Sequence, residues 1–327
     1  MSSPTVEPVN GDEVVQTIFL IGDAGKPSAK HREPTLAALT QHASQWPDKS
    51  LILFLGDNIY HSGMPEESDS ERPEAERKLN EQVSVVEESG ARGIFIPGNH
   101  DWGYGWEGVK RQEEFLLSKE EPDVMMLPHG GYPGPEVIDV GDRVRLVILD
   151  TEWWLNEGPK PQHSNSDYGP DSKEEVLDSL AQALCCAEDR YILVVGHHPP
   201  DSHGRHGGFF DWKDHLFPLR AYKQWMWIPL PGIGSLYPLS RLLGVTNQDL
   251  SSTAYSDLKT RIEGVLSEHP PLAYVAGHEH NLQVLRGSGP YLVVISGSGA
   301  YGHMPTLTVG DNTLFAYLHP GFVRLDF

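Results

Sequence analysis

Six side chains of this 327-residue chain suit metal chemistry by type and by setting: Asp23, Asp57, Asn99, His197, His278 and His280. Each lies at or just past a glycine that ends an apolar run. The runs are Ile18-Phe19-Leu20-Ile21, Leu51-Ile52-Leu53-Phe54-Leu55, Ile94-Phe95-Ile96, Ile192-Leu193-Val194-Val195 and Leu272-Ala273-Tyr274-Val275-Ala276. Carboxylate, imidazole and amide oxygen are ligands for hard or borderline divalent and trivalent ions. Two ions held close need a bridging anion, and Asp57 is placed at the centre of the set. His278 and His280 stand two apart, so in an extended turn both reach the same region. Taken singly, an Asp after a buried strand is most often a turn or cap residue, and a lone His is most often structural. One design repeated at five run ends is what points to metal.

Runs of consecutive apolar residues read as short strands buried on both faces. With their C-terminal ends on one side, the ligands meet in the crevice where open α/β sheets bind. Helical spacing recurs between them over 34–45, 74–89, 107–118, 173–187 and 253–267, with Leu79, Val83 and Val86 on one face of the second. The first hundred residues form a β-α-β-α-β unit with right-handed crossovers. Residues 137–140 and 144–149 form a hairpin about Gly141-Asp142. Runs at 282–286, 291–296, 314–318 and 322–326 resemble a β-meander. The expected fold is α/β: a four-layer α-β-β-α sandwich of two mixed β-sheets packed face to face with flanking helices. One domain over 16–327 is expected after a disordered lead-in, 1–15. The irregular segment 199–250, rich in Pro, Gly, His and aromatics, reads as an ordered lid.

Asp and Glu number 46 against 25 Lys and Arg, a net charge of −21. This argues against a nucleic-acid backbone as partner. An anionic substrate would need positive charge supplied locally, as metal ions would do. Cys185 and Cys186 are adjacent, build no disulfide framework and read as buried small side chains. No stretch approaches the ~20 apolar residues of a membrane span. The polar start carries no basic-then-apolar leader, and an exported chain with its leader trimmed would look the same, so the compartment stays open.

His100 and Asp101 follow Asn99 directly. His100 is the candidate proton donor to a leaving alkoxide, with Asp101 orienting its ring. Asn99, His198 and His206 are candidate substrate contacts, and His203 and Arg205 would add positive charge. Trp102 and Tyr104 would wall the leaving group, and His303, in a glycine loop, would border the site.

Gly22-Asp23, Gly56-Asp57-Asn58, Gly98-Asn99-His100-Asp101, Gly196-His197 and Gly277-His278-Glu279-His280 resemble, in order, the five blocks of calcineurin-like metallophosphoesterases. Within that superfamily the chain is similar to the purple acid phosphatases. Gly25 stands where most members have a His, and Tyr60 stands where the subgroup has an iron-binding phenolate. The resemblance implies a first ion on Asp23, Asp57, Tyr60 and His280. It implies a second on Asp57, Asn99, His197 and His278, with Asp57 bridging. The implied pair is Fe(III) with a divalent Fe, Zn or Mn, acting on a small phosphorylated substrate. The implied reaction is hydrolysis of phosphomonoesters by in-line attack of a hydroxide generated at the ions. A phosphodiesterase or nucleotide hydrolase, with the aromatic loop 102–106 stacking a base, is the alternative. A non-catalytic metal-dependent binding protein is a third reading.

Overall fold

The computed structural model describes residues 14–119, 123–161, 169–170, 172–185, 189–221, 225–300 and 306–327. The chain opens with β1 (Thr17–Ile21), α1 (Pro34–Ala43), β2 (Ser50–Phe54), α2 (Arg72–Ser89), β3 (Arg92–Phe95), α3 (Gly105–Leu117) and β4 (Val124–Met126). A hairpin, β5 (Glu136–Val140) and β6 (Val144–Ile148), leads to α4 (Thr151–Leu155), α5 (Lys173–Cys185) and β7 (Tyr191–Val195). Short helices α6 (Trp212–Leu216) and α7 (Leu236–Leu242) precede α8 (Thr253–Glu268) and β8 (Ala273–Ala276). The described chain closes with β9 (Leu282–Arg286), β10 (Leu292–Ser296), β11 (Thr313–Tyr317) and β12 (Val323–Asp326).

Local chemistry sets the helix ends. Pro34 opens α1, where its missing N–H costs nothing. Gly90 closes α2 at φ +68°, a left-handed cap that suits glycine. The Ser252 hydroxyl caps α8 by accepting from Tyr255 N–H at 3.2 Å.

The strands form two sheets, ordered β12-β1-β2-β3-β4 and β11-β9-β10-β8-β7-β6-β5. Both are mixed: β1–β4 run parallel, as do β6, β7, β8 and β10, and antiparallel strands flank them. Alternate residues explain the continuous apolar runs. Ile18, Leu20, Leu51, Leu53 and Ile94 join Leu146, Ile148, Leu193, Val195 and Val275 in one cluster shared by both sheets. Their neighbours Phe19, Ile52, Phe54 and Phe95 pack in another cluster with Leu36, Leu39 and Leu79 of the helices. Val147, Val194 and Tyr274 of the second sheet do the same with Leu180, Leu258 and Ile262. The result is the expected α-β-β-α sandwich.

Four local expectations change. The C-terminal runs are not a meander: β10 lies between β8 and β9, β11 adds beyond β9, and β12 crosses to pair with β1. β4 and α4 were not expected; the first has three residues and the second five, too short for a periodic signal. Val14 is buried and Val15 N–H donates to Phe327 O at 2.8 Å, so ordered chain begins ahead of residue 16. Cys185 is exposed rather than buried, on the outer side of α5. Residues 1–13, Cys186 and His303 lie outside the described residues.

Candidate metal centre

The five glycine-terminated strands are β1, β2 and β3 of one sheet and β7 and β8 of the other, and their C-terminal ends meet. Backbone bonds stitch them: Asp23 N–H to Gly56 O at 3.0 Å, Gly277 N–H to His197 O at 3.1 Å, and Gly22 N–H to Ser296 O at 2.6 Å. Asp23, Asp57 and His278, each just past its glycine, adopt left-handed backbone at φ 55°, 56° and 67°. That conformation is costly for residues with a Cβ and is enriched at functional sites. Glycine is needed behind them. A Cβ on Gly98 would lie 2.4 Å from Asp57 Oδ1, and one on Gly56 would lie 2.5 Å from His197 Nδ1.

Two groups of donors converge. In the first, the Tyr60 hydroxyl lies 2.7 Å from Asp23 Oδ1, 2.9 Å from Asp57 Oδ2 and 3.1 Å from His280 Nε2. His280 Nε2 is 3.2 Å from Asp23 Oδ1. In the second, Asn99 Oδ1 lies 3.2 Å from His197 Nε2 and 3.1 Å from His278 Nδ1, and Asp57 Oδ1 is 3.5 Å from His197 Nε2. Asp57 thus gives one oxygen to each group. Metal–ligand bonds of about 2.1 Å set neighbouring donors about 3 Å apart, which is the spacing seen.

Hydrogen-bond accounting makes the same point. His197 Nδ1 faces the Leu55 carbonyl at 2.7 Å and His278 Nε2 faces the Gln248 carbonyl at 3.0 Å. A carbonyl only accepts, so each of these nitrogens carries the proton. In neutral rings, the form that can ligate, His197 Nε2 and His278 Nδ1 point lone pairs at Asn99 Oδ1, and His197 Nε2 also faces Asp57 Oδ1. A cation bound between them would satisfy these facing acceptors. Asp23, Asp57 and His197 form one cluster fit for a metal, and His197, His198 and His278 form another.

Charge acts in the same sense. Burial, then the neighbouring Asp57 charge, pushes the Asp23 carboxyl well above the usual range. Burial also works to raise Asp57, but His197 and His100 outweigh it and hold this carboxyl low. Burial keeps His278 and His198 neutral and brings His280 down to about 4, the uncharged form that can ligate. Tyr60 is raised well above its ordinary value by burial and by the two carboxylates, so a cation is needed to release its proton.

Gly25 has a steric reason. A Cβ there would meet the Asn58 carbonyl carbon at 2.4 Å and the Asp57 oxygen at 2.5 Å, and Tyr60 N–H donates to Gly25 O at 3.1 Å. The chain that delivers Tyr60 lies on the space a side chain at 25 would use.

The remaining candidates divide. His100 is partly exposed beside the first group, with Nε2 4.0 Å from Asp57 Oδ2 and Nδ1 2.7 Å from the His61 carbonyl. Burial opposes its charged form, but Asp57 and the His61 carbonyl outweigh this and raise its pKa. Asp101 is not what holds the ring. Its carboxylate accepts from the N–H groups of Gly98, Asn58 and Ile59 and from the Asn58 amide, at 2.8 to 3.2 Å. It ties the Asp57 loop to the Asn99 loop instead, and the His61 carbonyl takes the orienting role. His198 is fully buried, with Nδ1 2.8 Å from Thr151 Oγ1 and Nε2 2.8 Å from Gln248 Oε1, so it is closed to substrate. His206 lies against His278 with ring centres 4.0 Å apart and planes tilted by 43°, at the partly exposed edge. His203 turns to Asn312 at 2.7 Å, and Arg205 is buried near the Tyr237 ring. Trp102 is buried with its indole N–H on Asp150 at 2.8 Å, so it cannot wall a leaving group or stack a base; Tyr104 is exposed.

Sequence reasoning missed Gln248. Its carbonyl holds His278 and His206, and its side chain joins His198 to Glu152. It also missed the buried pair Arg241–Asp249 at 2.7 Å, which borders His206. Neither carries a local pattern, because both act through folding of the irregular segment.

A sheet sandwich that gathers carboxylates and imidazoles at its strand ends is a scaffold that could hold metal ions. The family model described as calcineurin-like phosphoesterase matches residues 16–282, and the chain belongs to that family. The family typically binds two metal ions, and the His/Asp clusters described here could hold them. Among solved structures, GAP50, the anchor in the inner membrane complex of Plasmodium, aligns at TM-score 0.57 and 15% identity, covering 95% of this chain and 81% of its own. PhoD aligns at TM-score 0.48 and 11% identity, covering 94% and 63%. At 15% identity the likeness to GAP50 is one of fold. No curated protein matches the chain. Among the described residues, no helix is long and apolar enough to cross a membrane.

Proposed function

We propose that the chain is a binuclear, purple acid phosphatase-like phosphomonoesterase. The observation that carries this is Tyr60: its hydroxyl lies within 3.1 Å of Asp23, Asp57 and His280, where a phenolate would complete a ligand set. Asp23, Asp57, Tyr60 and His280 would hold a first ion, read as Fe(III). Asp57, Asn99, His197 and His278 would hold a second, divalent one (Fe, Zn or Mn). When bound, the ions supply the positive charge that a phosphate needs and an acidified water for in-line attack. The protein's own −21 charge makes that local supply necessary.

The chain's residues do the rest. Asp57 divides its oxygens between the two groups and fixes their separation. The backbone N–H of His100 holds Asp57 Oδ1 at 2.8 Å and that of His278 holds Asp23 Oδ2 at 2.9 Å, so neither carboxylate swings. His100 Nδ1 donates to the His61 carbonyl, which leaves Nε2 to carry the proton for the leaving oxygen. Asp57 and the His61 carbonyl shift His100 toward that charged form against the burial that opposes it. His206, at the open edge, is the substrate contact this reading keeps from the lid.

The test is a substrate panel on metal-loaded protein: simple phosphomonoesters, diesters and nucleotides. Faster turnover of monoesters, abolished by Asp57→Ala and lowered about 100-fold or more by His100→Gln, supports the reading. Preference for diesters or nucleotides would move the assignment to that class. Full metal loading with no turnover of any ester would make it a binding protein.

A further inference from the structure

The segment between the metal centre and α8 is built inside out. Helices α6 and α7 and the turns 218–221 and 233–235 pack on one another. Leu230 N–H bonds to Leu216 O at 2.8 Å, Gly234 N–H to Leu230 O at 2.6 Å, and the Phe217 and Trp227 rings meet at 5.3 Å. This is a folded lobe, yet its large apolar side chains face outward. Trp225 is 72% exposed, Leu236 63%, Leu242 55%, Trp227 53% and Leu239 47%. Leu236, Leu239, Leu242 and the capping Leu243 fall on one side of α7 at i, i+3, i+6 and i+7, all exposed. Among the described residues, none from 209 to 245 joins the hydrophobic clusters. Exposed apolar surface on this scale marks an interaction site.

Charge says what covers it. Over 209–245 the chain has two acidic residues, Asp211 and Asp214, against Lys213, Arg220, Arg241 and, outside the described residues, Lys223. Asp214 is buried in the capping box of α6. The rest of the chain is strongly acidic, so this face, whose two carboxylates are both taken up in the cap of α6, stands apart. Arg220 lies over the Trp227 ring at 4.0 Å, presenting cation and aromatic together. Tryptophan beside leucine and isoleucine, with Lys213 and Arg220 in the same lobe, suits the interface of a bilayer with anionic headgroups. A symmetric dimer through this face would set basic surface against basic surface.

We propose that the 209–245 lobe docks on an anionic phospholipid membrane surface, inserting its tryptophans and the outer leucines of α7 at headgroup depth. Docking needs neither a spanning helix nor a loaded metal centre, so its test is independent of the hydrolytic reading.

The test is co-sedimentation of the full chain with phosphatidylcholine vesicles, with and without phosphatidylserine, read together with tryptophan emission. Binding is expected, stronger with phosphatidylserine and weakened by salt, with a blue shift of emission. Leu239→Ser with Leu242→Ser, both exposed, should keep the fold by circular dichroism and weaken binding about tenfold or more. Trp225→Ser with Trp227→Ser should lose most of the emission shift. Absence of binding to either vesicle would overturn the proposal. So would binding that both double variants leave intact. A concentration-dependent oligomer dispersed by the leucine variant would overturn it in favour of a second copy of the chain.

Discussion

The cradle at the strand ends and the segment 199–248 border the same metal centre, yet they are held in opposite ways. In the cradle the candidate ligands stand at or just past strand ends backed by glycine and stitched by backbone hydrogen bonds, with Asp23, Asp57, Tyr60, His197 and His278 buried and Asn99 and His280 half-buried. The segment has two short helices, sends only a few polar residues toward the site, and leaves its apolar side chains in solvent. Rigid strand ends suit chemistry that tolerates little displacement. A loop-built lobe suits adjustable contact with whatever arrives.

Substitutions can break that contrast, beginning in the cradle. Asp57→Ala should remove ion binding and hydrolysis together, the second by about a thousandfold or more, because one side chain serves both donor groups. Elemental analysis beside an activity assay checks it, and an active variant free of metal would count against the shared-ligand account. Gly25→Ala should destabilise the fold by about 1–3 kcal/mol and loosen the first ion, since the new methyl meets the backbone at 57–59. Thermal unfolding with and without metal reads both effects.

The segment should respond less at the site. Gln248→Leu leaves His198 and Glu152 short of a buried partner and should cost about 1–3 kcal/mol while the ions stay bound. Loss of both ions in that variant would mean that the segment shapes the cradle directly.

A further effect is one of pH. Burial holds the Asp150 carboxyl at about 8, against an ordinary value near 4, despite hydrogen bonds from Trp153 and Trp102 that pull it down. Between about pH 4 and 8 the folded chain keeps a proton that the unfolded chain has released, so this group makes stability fall as pH rises. Asp150→Asn removes the titration. Its stability relative to the parent should therefore climb across that window in denaturant melts, and a flat difference would refute the assignment.

What was legible in the sequence follows the same contrast. Strand ends repeat one signature, apolar run, glycine, ligand, because burial on both faces and close backbone approach leave few residue choices. Asp23, Asp57, Asn99, His197, His278 and His280 could be read from it, and the structure brings them together. The fold class was legible for the same reason. Roles fixed by side-chain direction were not. Asp101 sits next to His100 in sequence but turns to backbone N–H groups, and Trp102 faces Asp150 inside the core. His198 follows the candidate ligand His197 and yet is buried with both ring nitrogens on Thr151 and Gln248. Gln248 and the Arg241–Asp249 pair carry no spacing rule at all. β12 was misread because a short apolar run does not say which sheet it will join.

Metal content and the visible spectrum of one sample of isolated protein test the central claim most directly. The account predicts about two ions per chain, iron among them, with a visible tyrosinate-to-iron band that Tyr60→Phe abolishes while the fold survives. Two ions without that band would remove iron from Tyr60 and leave a colourless metallophosphoesterase. No metal after reconstitution, with Asp23, Asp57 and His197 intact, would contradict the account.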